Sequence, residues 1–158
     1  MNDDTDSISV TREVRAGTSE IFAILSTPGR HQEIDGSEML RGSDDGTLDS
    51  VGSEFVMRMY YEEFGDYEMK NVVVEFEKDR RIAWEPERHD VDDEHWHHRW
   101  GFELVPVTPD VTRVTEFYDC SRSPEHARTT MKNGAVWLTA MERTLERLDQ
   151  VMATQRSA

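Results

Sequence analysis

The chain predicts an α+β fold: a curved antiparallel sheet of about six to seven strands, with two short helices and one long C-terminal helix enclosing a cavity. Two observations carry this. Between Glu38 and Ser121 apolar residues alternate with polar ones in successive short runs separated by turn residues, the period of half-buried strands. From Ala127 to Met152 the period changes to threes and fours, the mark of a helix with one apolar face. Strands gathered in one block and a helix at the end are the order of an α+β domain rather than of alternating α/β units.

The elements follow in order. Residues 1–6 read as a flexible acidic tail, 7–154 as a single domain and 155–158 as a second flexible tail. "SISVTREV" alternates Ile8 and Val10 against Ser9 and Thr11 and forms the first strand. In "GTSEIFAIL", Gly17 or Thr18 caps a helix whose face carries Ile21, Ile24 and Leu25. Pro28, Gly29 and Gly36 break the next stretch, leaving room for a short helix over Arg30 to Glu33 and a turn. "SEFVMRMYY" puts Phe55, Met57, Met59 and Tyr61 on one face, while "MKNVVVEFEKD" and "RRIAWEPER" form a hairpin through "KDRR". "HWHHRWGFELVPV" and "TRVTEFYDCS" complete the sheet. Ser123 as N-cap and Pro124 at the first helical position then start one continuous helix, with the stripe Ala127, Met131, Gly134, Leu138, Met141, Leu145, Leu148, Met152 and with Trp137 beside it.

Composition narrows the function. With 158 residues the chain fits one domain and one sizeable core. Its 33 acidic residues against 18 Lys and Arg give a net charge of −15, which repels nucleic acid and anionic membrane surfaces. The single cysteine, Cys120, forms no intrachain disulfide, and "MNDDTDS" has neither the basic nor the apolar region of a signal peptide. A cytoplasmic protein without membrane insertion is expected. No phosphate-binding glycine loop or serine nucleophile elbow is present, so no cofactor is expected.

In "ISVTREVRAGTSEIFAILSTPGRHQEIDGS", "VGSEFVMRM", "VVVEFEKDRRIAWEP", "WGFELVPV", "TRVTEFYD" and the final helix, taken in that order, the chain resembles the START-like or SRPBCC superfamily of helix-grip, Bet v 1-like proteins. Within it the likeness is to the bacterial polyketide cyclase/dehydrase-like group. The resemblance implies a cavity between sheet and long helix that takes lipids, sterols, aromatic polyketides or other metabolites. It implies no shared catalytic set.

Candidate site residues come from strand parity. If residues 95–104 are one strand, Trp96, His98, Trp100, Phe102 and Leu104 share the concave face, and His95, His97 and Arg99 point outward. The i, i+2 pair His95 and His97 has the spacing of two zinc ligands, with a third to come from His89, Asp92, Asp93 or Glu94, but strand-spaced histidines beside acids are a common solvated feature and no cysteine joins them, so no metal is expected. His98 is either a satisfied core histidine or a ligand contact and general acid/base. On the adjacent strand, Val114, Glu116, Tyr118 and Cys120 alternate with Arg113, Thr115, Phe117 and Asp119, and an aromatic on each face leaves the parity open. With Val114 inward, Glu116 and Tyr118 join His98 as catalytic candidates. Phe55, Met57, Met59, Trp84, Trp100, Phe102, Met131, Leu138 and Met141 supply the apolar contact area of a ligand site, the thioethers suiting flat or irregular molecules.

Three functions are open on these grounds. One is binding of a hydrophobic aromatic, polyketide-like or lipid-like small molecule. The second is a cyclase/dehydrase-type enzyme using His98 and a pocket carboxylate. The third is a protein-interaction module with a filled core. A homodimer through a sheet edge or the Tyr60 and Arg58 face is compatible with each.

Overall fold

Among the described residues, seven strands form one antiparallel sheet in the order β1-β7-β6-β5-β4-β3-β2. The computed structural model describes residues 7–87 and 96–157. The strands are β1 (Ser7–Val14), β2 (Leu40–Gly42), β3 (Glu54–Tyr61), β4 (Gly65–Glu77), β5 (Arg81–Glu87), β6 (Arg99–Thr108) and β7 (Val111–Asp119). Two helices fill the connection between β1 and β2: α1 (Thr18–Leu25) and, after a 3-10 turn at Pro28–Arg30, α2 (His31–Ile34). After β7 come α3 (Glu125–Thr130) and α4 (Leu138–Ser157).

Side-chain alternation decides which face of the sheet is covered. On β3, Phe55 and Met57 are buried while Glu54, Val56 and Arg58 are exposed. The pairing carries that inward face across to Val73, Ile82, Trp84, Phe102, Leu104, Val114, Glu116 and Tyr118. A bulge in β4 between Val73 and Glu75 bends the sheet toward that face. Into the concavity α4 lays Met141, Leu145, Leu148 and Met152, each at most 2% exposed and spaced by four, three and four residues. Burying such side chains stabilises the fold by about 1.5–3 kcal/mol each, so the helix stripe is a principal part of the core. Asp149, on α4, accepts hydrogen bonds from the Arg15 backbone N–H and from Arg12 Nη2, both at 3.3 Å, tying the helix to β1.

The expected single C-terminal helix is in fact interrupted. Between α3 and α4 lies a 3-10 segment, Lys132–Trp137, in which Asn133 and Gly134 have φ of 54° and 97°. The apolar period runs through Gly134 unbroken, but adjacent Asn and Gly are turn formers that accept the left-handed region, and here they redirect the chain. Ser123 does not cap α3 as expected: Pro124 holds the N-cap position, and the Ser123 hydroxyl is buried without a hydrogen-bond partner. At the other end, the tail expected from residue 155 belongs to α4, which continues through Ser157.

The interruption seats Gly134 on the core. A Cβ there would lie 2.7 Å from Tyr118 Cδ2 and 3.0 Å from Ile8 Cγ1, on a backbone that L side chains rarely adopt. Gly134→Ala is expected to destabilise the protein by about 2–4 kcal/mol through combined backbone strain and ring displacement. Thermal unfolding checks this. An unchanged midpoint would mean that the segment is free to move off Tyr118.

Candidate functional site

The concave face divides the interior into two apolar clusters. The larger joins α1, β1, β3–β7 and the distal half of α4 and includes Phe55, Met57, Phe102, Val114, Leu145 and Leu148. The smaller contains Tyr118, Cys120 and Met141, with Trp100 and Trp137 packed against it. Val10 touches both. Glu116 sits at the seam, two residues from Val114 and from Tyr118 on one face of β7, paired with Val10 on β1 and with Phe102 on β6. This settles the parity of β7: Val114, Glu116, Tyr118 and Cys120 face inward.

Glu116 is 6% exposed, and its Oε1 has no hydrogen-bond partner among the described residues. Burial pushes its carboxyl well above the usual carboxylate range, and the nearby negative charge of Asp35 adds to the shift. Asp35 follows α2 and is itself well satisfied, accepting bonds from Ser37 N at 2.9 Å, Ser37 Oγ at 2.6 Å and Leu40 N at 2.9 Å. The "DGS" turn therefore starts β2 and also carries an acid whose charge acts on Glu116.

On the smaller cluster's side, Tyr118 and His98 share a hydrogen bond of 2.9 Å through the phenol oxygen and Nδ1, its direction set by the imidazole tautomer. Burial, and next the neighbouring Cys120, raise the Tyr118 pKa, so the phenol stays neutral. Trp100 packs against the Tyr118 ring at 4.6 Å between centroids and edge-to-face against Trp137 at 5.3 Å. The Trp137 N–H lies beside Tyr118 but outside hydrogen-bond geometry, and is buried without a partner.

In the larger cluster Trp84 stacks on His31 at 5.2 Å and meets Phe55 edge-on at 5.6 Å. The His31 Nε2–H donates to the Leu25 carbonyl at 2.8 Å, and burial lowers its pKa, so it is a neutral core residue. Sequence reasoning passed over His31, because the broken "TPGRHQEID" has no periodicity to assign it a face.

Several expected site residues stand elsewhere. The segment 96–98 precedes β6 rather than opening it, and His97 has a φ of 54°, which ends the alternation extrapolated from Trp100. His98 accordingly reaches Tyr118 from a loop, and Trp96 packs edge-on between His98 and His126. His98 Nδ1 shares its hydrogen bond with Tyr118 Oη, while Glu116 Oε1 has no hydrogen-bond partner among the described residues. Leu138, expected inside, is 37% exposed, because the break before α4 rotates its first turn outward. Met131 is half-buried, whereas Met141 is fully buried. His95, with His89, Asp92, Asp93 and Glu94, lies outside the described residues. His97 is exposed, its Nδ1 3.9 Å from Glu85 on the convex side. Among the described residues no group of three His, Cys, Asp or Glu is placed to hold a metal.

The convex face is a structural charge ladder. Arg99 bridges Glu85 and Glu75 at 2.9 Å each, Arg122 also reaches Glu85, and Arg81 joins Glu75 to Glu103. Two open grooves mark the surface, of about 440 Å³ beside Arg30, Arg147 and Gln150 and about 480 Å³ beside Glu75, Arg81 and Phe117. Neither includes an expected ligand residue.

Comparison with known proteins agrees with this architecture. Protein Ms6760 from Mycobacterium smegmatis superposes with a TM-score of 0.72 at 14% identity over 98% of this chain and 95% of its own. NE0264 from Nitrosomonas europaea gives 0.70 at 14% over 96% and 97%. A protein described as belonging to the START superfamily, also from M. smegmatis, gives 0.61 at 20% over 92% and 98%. The chain thus has the START-like, SRPBCC-type helix-grip fold. In sequence it is 34% identical over 129 residues to the uncharacterized protein Rv0088 of Mycobacterium tuberculosis H37Rv, and 33% to MT0096 of strain CDC 1551. The alignments cover 80% of this chain and 51% of those proteins, so the chain spans about half the length of the curated relatives it matches. No family model matches it. Among the described residues, no helix is long and apolar enough to cross a membrane.

Proposed function

We propose that this protein binds a hydrophobic small molecule, aromatic, polyketide-like or lipid-like, between the concave face of the sheet and α4, with Glu116 as its polar contact. The observation that carries this reading is the buried Glu116 Oε1, without a hydrogen-bond partner among the described residues, at the seam of two apolar clusters. Leaving a buried polar group unpaired costs about 1–3 kcal/mol, and a ligand group that pairs with it offsets that cost. The large inward side chains Met59, Trp84 and Trp100 support the same reading, since all three remain half-buried beside fully buried neighbours. They would supply contact area, with Phe102 and Met141, and Tyr118 and His98 would orient the bound molecule.

Native mass spectrometry tests the proposal. The full chain is incubated with an organic extract of bacterial cells, desalted, and its native mass compared with its denatured mass. The expected result is a non-covalent adduct of a few hundred daltons on the wild type, reduced at least several-fold by Trp100→Ala. A bare native mass, or an adduct that Trp100→Ala and Glu116→Gln leave untouched, would overturn it.

A further inference from the structure

Resting on the binding site proposed above, we infer that its ligand is an organic cation: an amine carrying an apolar, ring-containing body, whose ammonium group pairs with Glu116. Four observations converge on this chemistry. Glu116 is buried and, among the described residues, its Oε1 has no hydrogen-bond partner, so a polar group of a ligand can pair with it. Asp35, a second acid, acts on it electrostatically, so the local charge favours a cation over an anion. The rings around Glu116 are π-faces that attract cations: Phe102 lies opposite on β6, Tyr118 is two residues along the same face, and Trp100 packs on Tyr118. Finally, the inward positions of β3–β7 carry no Lys or Arg. Arg58, Lys70, Arg81, Arg99 and Arg113 all fall on the opposite parity.

Several basic and titratable groups on the surrounding elements are engaged elsewhere. Arg12 of β1 is bound to Asp149 of α4. Arg147 of α4 donates to the Asp35 carbonyl and to Glu38. His31 donates to Leu25, and Tyr118 is bonded to His98. An anion or a neutral acceptor entering this space would find acids and ring faces. An ammonium would meet both a counter-ion and the negative side of the rings.

The pairing has a proton balance that can be measured. Burial holds the empty site's carboxyl in its protonated form to higher pH than an ordinary glutamate. When R–NH3⁺ docks, the Glu116 O–H bond breaks, its proton leaves to solvent and the carboxylate accepts from the ammonium. No other bond changes.

The test is isothermal titration calorimetry of the full chain near pH 7 with 2-phenylethylamine and tryptamine, against the neutral isostere 2-phenylethanol and the anion phenylacetate. Each titration is repeated in phosphate and in Tris, whose ionisation enthalpies differ. The inference predicts that the amines bind about ten-fold or more tightly than 2-phenylethanol, and release a proton on binding at any pH where the carboxyl is protonated beforehand. Glu116→Gln removes both effects while circular dichroism and the unfolding transition stay cooperative. Equal or tighter binding of 2-phenylethanol or phenylacetate, still sensitive to Glu116→Gln, would overturn the cation inference and leave the binding site standing. Failure of every compound to bind, or amine binding indifferent to Glu116→Gln, would also overturn it, and the native-mass adduct then decides the underlying site independently.

Discussion

Glu116→Met is expected to raise the stability of the ligand-free protein by about 2 kcal/mol, while abolishing the ligand adduct. Methionine matches the length of glutamate, fills the seam with a flexible apolar side chain and removes a carboxyl whose Oε1 has no partner. In a domain of this size the gain corresponds to about 4–8 °C in the unfolding midpoint. Its pH dependence has a definite sign. The native state holds the Glu116 proton more tightly than the unfolded chain does, so native stability falls as pH rises above the ordinary glutamate range, about 4.3, toward the raised native value. The advantage of Met is therefore smallest at acid pH and grows toward neutrality. Thermal melts of both proteins between pH 4 and 8 measure it. A Met variant less stable than wild type at neutral pH would mean that the carboxyl has a partner in solution.

Gly36→Ala should act in the opposite direction, with a loss of about 3 kcal/mol and a midpoint lower by about 6–12 °C. Gly36 is the point where the loop after α2 touches α4. A Cβ there would stand 2.2 Å from the Ala140 carbonyl oxygen and 2.7 Å from the Thr144 backbone nitrogen. These are helix backbone atoms that cannot swing aside. Relief requires the loop to lift, breaking the 2.9 Å bond from Gly36 N to Thr144 Oγ1 and the contact between Arg147 and the Asp35 carbonyl. Because Asp35 moves with the loop, ligand binding should weaken along with stability. A midpoint within a degree or two of wild type would show that the loop does not seal against the helix.

Much of this arrangement was legible in the sequence because strand alternation is a local property. Phe55 and Met57 against Glu54 and Val56, or Ile82 against Arg81, reveal their faces without reference to any other strand. The parity of β7 was not legible, since Phe117 and Tyr118 are both aromatic and both find packing. Phe117 covers Gly101 on the convex side and carries Arg81 over its ring at 4.4 Å, and Tyr118 fills the interior. Only the neighbouring strand decides between them. The break at Asn133 and Gly134 was hidden for a different reason: the apolar period continues through it, and a turn signal was read as part of a stripe. Asp35 shows a third limit. Its place in a turn is evident from "DGS", but its approach to Glu116 depends on how α2 docks on α4, a long-range contact that no local pattern encodes.

The account rests on Glu116 standing inside the grip without a partner, and carboxyl ¹³C NMR of the ligand-free protein tests that claim most directly. With glutamate labelled at Cδ, and the Glu116 resonance assigned by its absence in Glu116→Gln, a pH titration follows this one group. The account predicts a resonance that remains in the protonated range after the exposed glutamates have ionised, and that moves to the carboxylate position when an amine is added. A Glu116 signal titrating together with the exposed glutamates would contradict it, because a carboxyl that ionises normally is either solvated or already paired.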